Sequence, residues 1–428
     1  MNAKNLILGA GDSGRSAAAL LCSLKRGGGV VAAERLPAPE TIAAFQEMGF
    51  LVVTELPEQV GGCCVVSPGF ATDHPWMRRL TSMGVEILPE FALGAAQLKG
   101  NILAVTGSLG KTSMVLMAAE LLRAAGKRVT VSGNIGRPVC DIALHEPDAD
   151  VHVIELSSFQ LEINTTFRPD AALCLNLFPN HLDRHGTLDA YAAAKAKLFA
   201  FQEPGDIACW PESFPLPVET RARRVWARPE ALPPLLDTPF ASGALRENLA
   251  ALVAVLDPLG LPDDVDAVIR SFRFPPYRMQ VVEIPGAGKV VNDSKSTCLS
   301  ATMAALSALP GHVHLIVGGL PKNEDLSAAG ALFAERGVSL YLLGRSAEAM
   351  QRAWEGILPY CCNHLDLSGC IHAVWARRRC GESLLFSPGC ASFDQYTGYA
   401  QRGLHFQQLV ETLAAQQPMN SVPVQESP

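Results

Sequence analysis

The sequence has no Cys-x-x-Cys pair, no basic run longer than Arg377-Arg378-Arg379, and no opening stretch with the long apolar core of an export signal. Each absence removes a class of protein. The 12 cysteines lie mostly inside apolar runs, as Cys22, Cys140, Cys174 and Cys209 do, so buried reduced thiols are expected in place of a disulfide frame. Cys361-Cys362, Cys370, Cys380 and Cys390 crowd the last third of the chain without the paired short spacings that a structural zinc site needs. A formal net charge of -7 with no long cationic stretch disfavours a nucleic-acid partner and leaves small ligands, whose phosphates would need local cations. The start runs directly into Leu6-Ile7-Leu8 and then glycines, so no export signal and no membrane span are expected, and the chain reads as cytoplasmic. What is present, 428 residues of which 48% are hydrophobic and 18% charged, is the composition of a globular chain. That length suits roughly two to four domains.

The most informative stretch is Thr106-Gly107-Ser108-Leu109-Gly110-Lys111-Thr112-Ser113. An apolar strand from Asn101 to Val105 enters it and a helix leaves it, stopped by Gly126. Glycines let backbone N–H groups close around phosphate oxygens, the helix N-terminus adds a positive dipole, Lys111 reaches terminal phosphates and the Thr112 hydroxyl can hold magnesium. The spacing is shorter than that of the common eight-residue nucleoside-triphosphatase loop, since Val105 stands where the first glycine would fall. A glycine turn capped by a polar residue would give the same bare hexapeptide.

Other polar clusters also follow apolar strands. Gly9-Ala10-Gly11-Asp12-Ser13-Gly14 lies between a strand and an alanine-rich helix read as Arg15 to Leu24, and Glu34 ends the next strand, as in a dinucleotide fold where an acid meets a ribose hydroxyl. A tight turn without ligand has the same pattern. Cys63-Cys64-Val65-Val66 leads to Ser67-Pro68-Gly69. Val129 to Ser132 leads to Gly133-Asn134-Ile135-Gly136, and Val151 to Glu155 ends in a carboxylate placed for magnesium. Ser157 and Gln160 after it also fit a helix capping box. Ala171 to Leu175 leads into Asn176 through Gly186, which contains His181.

In the following helix Leu188, Tyr191, Leu198 and Phe199 mark an apolar stripe, and Lys195 lies in it. A lysine there either snorkels to water or is desolvated, and an uncharged amine can take up carbon dioxide as a carbamate. Residues 204–241 read as a proline-rich irregular or β segment with Arg221, Arg223 and Arg224; a helix from Leu245 to Leu256 carries Asn248. Four further strands follow Phe274-Pro275-Pro276, and three loops, Asn292 to Thr297, Gly318 to Lys322 and Ser387 to Asp394, are expected to converge on one sheet edge. The expected fold is therefore α/β in three domains, each a largely parallel sheet with helices: 1–97 Rossmann-like, 98–275 phosphate-loop ATPase-like, and 276–416 Rossmann-like. Residues 417–428 read as a flexible tail.

Together the short phosphate loop, Glu155-Leu156-Ser157-Ser158-Phe159-Gln160, His181-Leu182-Asp183-Arg184-His185-Gly186, Tyr277-Arg278-Met279, Asn292-Asp293-Ser294-Lys295 and Ser387-Pro388 through Asp394 resemble the Mur ligases. The match runs in order along nearly the whole chain. The resemblance implies an ATP-dependent, magnesium-requiring amide ligase of the branch that joins D-glutamate to UDP-N-acetylmuramoyl-L-alanine, acting as a monomer. It implies that Gly107, Ser108, Gly110, Lys111, Thr112, Ser113, Asn248, Arg278 and Asp293 hold ATP. By the same resemblance Thr112 and Glu155 serve one magnesium ion, and His181 with a carbamylated Lys195 serves the other; with Lys111 these form the catalytic set. Asp12, Ser13, Glu34, Gly69, Asn134, Ser157 and Gln160 would meet the UDP-substrate, and Thr297, Lys322, Ser392 and Tyr399 the incoming amino acid.

Several positions depart from the family pattern. Leu109 stands for an asparagine, Asn180 for an aspartate, Ala251 for a second asparagine, Tyr277-Arg278-Met279-Gln280 for His-Arg-x-Glu, Gly389 for an alanine and Tyr399 for a phenylalanine. A ligase for another amino acid such as L-glutamate, a non-catalytic nucleotide-binding relative, and an oxidoreductase using the first glycine turn are the competing readings.

Overall fold

The computed structural model describes residues 2–3, 5–163, 166–212, 219–236, 238–284, 288–321, 325–379 and 381–416. Lys322 and the tail expected over 417–428 lie outside the described residues. The chain is α/β, with three main sheets among the described residues, of five, six and six strands. It divides into two compact units, one holding the residues up to Leu235 together with Arg246–Phe272, the other holding Leu236–Leu245 and the residues from Arg273 on.

The first unit contains two of the sheets. In one, Leu6–Leu8 lies between Gly29–Ala32 and Cys63–Val66, all parallel, so the order reverses beside the first strand. The turns after Leu8 and Val66 therefore adjoin, and Ser67 N–H donates to the carbonyl of Leu8 at 3.0 Å. The glycine turn is tight: a Cβ on Gly14 would sit 2.0 Å from the Gly9 carbonyl oxygen. The helix after it runs Asp12–Ser23 and begins before the expected Arg15, because extended Gly11 already acts as its N-cap and Asp12 favours the first turn.

In the second sheet Asn101–Thr106 lies between Ala171–Cys174 and Val151–Glu155, with Val129–Gly133 beyond the latter. Val151–Glu155 is buried throughout, as a central parallel strand covered by helices on both faces must be. The proline-rich segment contributes the short edge strands Ile207–Cys209 and Arg223–Arg224. The two sheets share packing through the helix Val139–His145, whose Cys140 and Ala143 join Leu93 and the helix Asp12–Ser23 in one apolar cluster.

The second unit has a mixed sheet. Gln280–Val282 pairs antiparallel with Val290–Asn292; Ser383–Phe386, Val313–Gly318, Ser339–Leu343 and Tyr360–Asn363 continue it in parallel. Gln280–Val282 and Tyr360–Asn363 were not expected from the sequence. Both are edge strands with partly exposed residues, so neither shows the continuous apolar run that marks a central strand.

Candidate active site

The phosphate loop has the expected wiring. Thr106 ends its strand, Gly110 takes the left-handed conformation at φ 80°, and Lys111 opens the helix Lys111–Ala124. Lys111 Nζ donates to the carbonyls of Gly107 at 2.7 Å and Ser108 at 3.1 Å. The loop is held from behind by a residue that carried no assigned role. Asn176 accepts from Leu109 N–H at 2.9 Å, donates to the Leu109 carbonyl at 3.0 Å, and donates to Asn248 Oδ1 at 3.1 Å. Leu109 is thus clamped through its backbone, which any side chain there permits. Asn248 packs against the loop itself: a Cβ on Gly110 would lie 2.8 Å from its Nδ2. Ser108 is tied to Phe178, its hydroxyl accepting from the N–H at 2.9 Å.

The neighbouring strand supplies the carboxylate. Buried Glu155 accepts from the Thr112 hydroxyl at 2.8 Å and from Asn134 Nδ2 at 2.8 Å, so a strand end, the first turn of a helix and a neighbouring loop meet at one group. Lys195 does not snorkel. Its side chain is 1% exposed, its Nζ donates to the Gly107 carbonyl at 3.0 Å, and it stands 4.4 Å over the Tyr191 ring. Burial first, and then repulsion from Lys111, hold its pKa well below the lysine range. The desolvated alternative is the one observed.

His181 has φ 56° at the start of the short helix Leu182–His185, and its ring meets Phe159 edge-on at 4.8 Å and Tyr191 at 6.5 Å. Tyr191 thus lies between His181 and Lys195. The next two residues of importance were present in the motif but given no role. Arg184 pairs with Glu162 at 2.7 Å, stacks 4.1 Å over Phe159, and donates to the carbonyls of Pro68 at 3.2 Å and Phe70 at 3.3 Å. His185 bonds Ser158 at 3.0 Å and lies 3.2 Å from Glu162. This network ties the histidine loop to the Ser67-Pro68-Gly69 turn of the first sheet.

The residues expected at the UDP end are more dispersed. Glu34 is exposed and meets His74 at 3.2 Å; Asp12 pairs with Arg15 at 2.9 Å, and Ser13 follows in the same helical turn. Ser157 and Gln160 form the capping box, with Gln160 Oε1 accepting from Ser157 N–H at 2.9 Å. A shallow surface cleft is lined by Val66, Pro68, Glu90, Phe91 and Gln160 among others, beside Gly69. Glu90 accepts from Cys140 N–H at 2.7 Å, and burial pushes its carboxyl up to about 7.

In the second unit the polar loops do converge. Asp293 accepts from the hydroxyls of Ser296 and Ser387, and from Met279 N–H at 3.0 Å; burial pushes its pKa up to about 6. Gly389 N–H donates to the Ser296 carbonyl at 3.1 Å and Leu320 N–H to the Ala391 carbonyl at 2.8 Å. Thr297 follows Ser296 directly, and buried Ser392 accepts through its carbonyl from Tyr396 N–H at 2.9 Å. Tyr399 opens the last helix, with Lys295 Nζ 3.9 Å over its ring. Arg278 lies in a turn where Tyr277 and Met279 both have positive φ, and Gln280 Oε1 accepts from Tyr277 N–H at 2.9 Å, a bond that glutamate would also make. Arg402 was missed by sequence reading. It is buried and braces two of the loops, donating to the carbonyls of Ser294 at 2.8 Å and Cys390 at 3.1 Å.

Comparison with known proteins agrees with this geometry. Residues 105–216 match the Mur ligase middle domain. The chain is 32% identical to a UDP-N-acetylmuramoylalanine–D-glutamate ligase of Acidobacterium capsulatum, over 95% of this chain and 96% of that one. It is 33% identical to the enzyme of the same name from Solibacter usitatus, over 95% and 97%. Among solved structures, a MurF ligase of Thermotoga maritima in complex with ADP aligns with a TM-score of 0.61 at 16% identity, covering 91% of this chain and 96% of that one. The fold is that of the Mur ligase class, and the phosphate loop lies in the stretch that matches its middle domain. Within that class the chain belongs to the UDP-N-acetylmuramoylalanine–D-glutamate ligase family.

Proposed function

We propose that this chain is an ADP-forming amide ligase that uses ATP to join D-glutamate to UDP-N-acetylmuramoyl-L-alanine, in cytoplasmic peptidoglycan precursor synthesis, as a monomer. The observation that carries the reading is the meeting of Lys111, Thr112, Glu155 and the desolvated Lys195 around one phosphate loop, in a member of this family. We assign residues 1–97 to the UDP-substrate, 98–275 to ATP and 276–416 to the amino acid.

In the reaction the substrate carboxylate takes the terminal phosphoryl group of ATP and ADP leaves. The glutamate amine then attacks the acyl carbon, and the tetrahedral adduct expels phosphate and loses a proton to become the amide. Lys111 offsets charge on the transferring group, and the N–H groups of Gly107 to Ser113 orient it. Asn248, Arg278 and Asp293 complete ATP binding. Asp12, Ser13, Glu34, Gly69, Asn134, Ser157 and Gln160 orient the UDP-substrate, while Thr297, Lys322, Ser392 and Tyr399 take the glutamate.

Magnesium fits the donors present, because a hydroxyl and a carboxylate 2.8 Å apart are the hard oxygen ligands it prefers. Thr112 and Glu155 would hold one ion, and His181 with Lys195 a second. When bound, such ions offset phosphoryl and carboxylate charge. Burial, which lowers the Lys195 pKa well below the lysine range, supports carbamylation: the deprotonated amine adds to carbon dioxide as a proton leaves, which supplies the oxygen donors that an ammonium lacks.

Phosphate release tests the reading, with magnesium-ATP, UDP-N-acetylmuramoyl-L-alanine, and D-glutamate, L-glutamate or no amino acid. Release that depends on D-glutamate supports it. Release with L-glutamate alone corrects the substrate, and no release in any arm overturns turnover. Lys111→Ala abolishes release while UDP-substrate binding survives; retained turnover would mean that the loop is misassigned.

A further inference from the structure

We propose that His312, His314 and Glu382 form a binding site for one late first-row divalent cation of the zinc class, at the edge of the C-terminal sheet opposite its ligand loops. One ring nitrogen of each histidine and one carboxylate oxygen of Glu382 lie within 4.8 Å of one another. The strand geometry explains why. His312 and His314 flank Val313 at the entry of Val313–Gly318, and residues two apart on a strand share a face. Glu382 immediately precedes the parallel neighbour Ser383–Phe386, and the register pairs Val313 with Ser383. Glu382 therefore stands beside His312, and all three side chains project from the same face.

Each imidazole is also held from outside by a hydroxyl on the strand Ser339–Leu343. His314 Nδ1 lies 2.9 Å from the Tyr341 hydroxyl, while its Nε2 points to Glu382 Oε2 at 2.8 Å. His312 Nε2 lies 3.1 Å from the Ser339 hydroxyl. A partner on one ring nitrogen is what fixes the tautomer and orientation of a metal-binding histidine, leaving the other nitrogen to ligate. Glu382 is steadied in turn by Arg379 N–H at 2.8 Å. These contacts make a prepared donor set and not three side chains that happen to be near.

The donor chemistry selects the ion. Two imidazoles and a carboxylate suit zinc and its neighbours and disfavour magnesium, which prefers oxygen throughout. Bonds of about 2.0–2.2 Å in a tetrahedron place donors roughly 3.3–3.5 Å apart, so the widest pair must close by up to about 1.5 Å. His312 and Glu382 are partly exposed and free to make that adjustment, whereas His314 is buried and serves as the anchor. A water would take the fourth position. The site lies on the amino-terminal side of the sheet, away from Asp293 and Ser387, so its effect is on stability of the C-terminal unit and not on the ligase reaction.

The test is titration of the full-length protein, kept reduced, with zinc chloride against a chromophoric zinc indicator in excess magnesium. The parent binds one zinc that magnesium does not displace, and its unfolding midpoint rises on zinc addition. His312→Ala and Glu382→Gln, chosen over the buried His314, each weaken that site by about 100-fold or more, and Tyr341→Phe by about 10-fold through loss of the outer hydroxyl. Phosphate release in metal-free buffer supplemented only with magnesium stays at the parent level in all three. Absence of a tight zinc site overturns the proposal. So does a site of equal affinity in the variants, as binding to the cysteines or to Glu155 would give, and so does loss confined to one of the two ligand variants.

Discussion

Two cations are buried to the same degree in different parts of the molecule, Lys195 behind the phosphate loop and Arg402 beneath the C-terminal loops, each 1% exposed. Their fates differ. Arg402 has Ser294 Oγ at 3.1 Å and the carbonyls of Ser294 and Cys390 at 2.8 and 3.1 Å, so its planar fork is well supplied with acceptors. Burial lowers its pKa only to about 10, and it stays charged at neutral pH. Lys195 meets one carbonyl, a hydroxyl at 3.5 Å and a ring face, and burial together with a second lysine nearby holds its pKa well below the lysine range. Desolvation alone does not decide what a buried cation becomes; the acceptors around it do. Arg402 is a brace, and Lys195 is a desolvated amine behind the phosphate loop.

The contrast can be broken at either end. The largest effect is expected at Lys195: Lys195→Ala lowers phosphate release by about 1000-fold, on the scale of removing one group that stabilises a developing charge. Acetate or formate at high concentration restores part of it, because a free carboxylate stands in for the carbamate. Equal turnover in mutant and parent would end that assignment. Arg402→Met comes next. It strands the acceptors of Ser294 and Cys390 and costs about 3 kcal/mol in urea unfolding, with no rescue by carboxylate. If Lys195→Met destabilised the chain as much, the two cations would be equivalent and the distinction would fail. Lys195→Met should instead stabilise at neutral pH. Folding disfavours the charged form of the parent lysine, a cost that fades as pH rises toward 10.5, its ordinary value.

Glu90 extends the comparison to a buried acid. Its folded value of about 7 exceeds the ordinary 4.5, so folding takes up a proton. The contribution is fully present below pH 4.5 and is lost as pH rises through 7. Glu90→Gln keeps the acceptor for Cys140 N–H and should remove that loss, leaving the variant more stable than the parent above neutrality by on the order of 2 kcal/mol. Melting curves across this range read the difference; parallel curves for parent and variant would place the proton elsewhere.

Much of the strand-end arrangement is legible in the sequence. The phosphate loop, the carboxylate ending Val151–Glu155 and the three C-terminal loops were legible because strand-end position and turn chemistry are local properties of the chain. Asn176 was within reach of the same rule, as it follows the strand Ala171–Cys174, yet nothing in its neighbours signalled that it would clamp Leu109 across 67 residues of chain. Arg184 could be seen as part of a motif, but not as the cation that reaches the carbonyls of Pro68 and Phe70.

The amino-acid sequence by itself therefore determined the α/β class, the order of strands and loops, and the family, since apolar runs, glycines and motif spacing act over a few residues. Tertiary structure alone decided which charges lose water and which acceptors meet them. The pKa of Lys195 falls well below the lysine range because burial strips its water and Lys111 stands nearby, surroundings that distant parts of the chain supply.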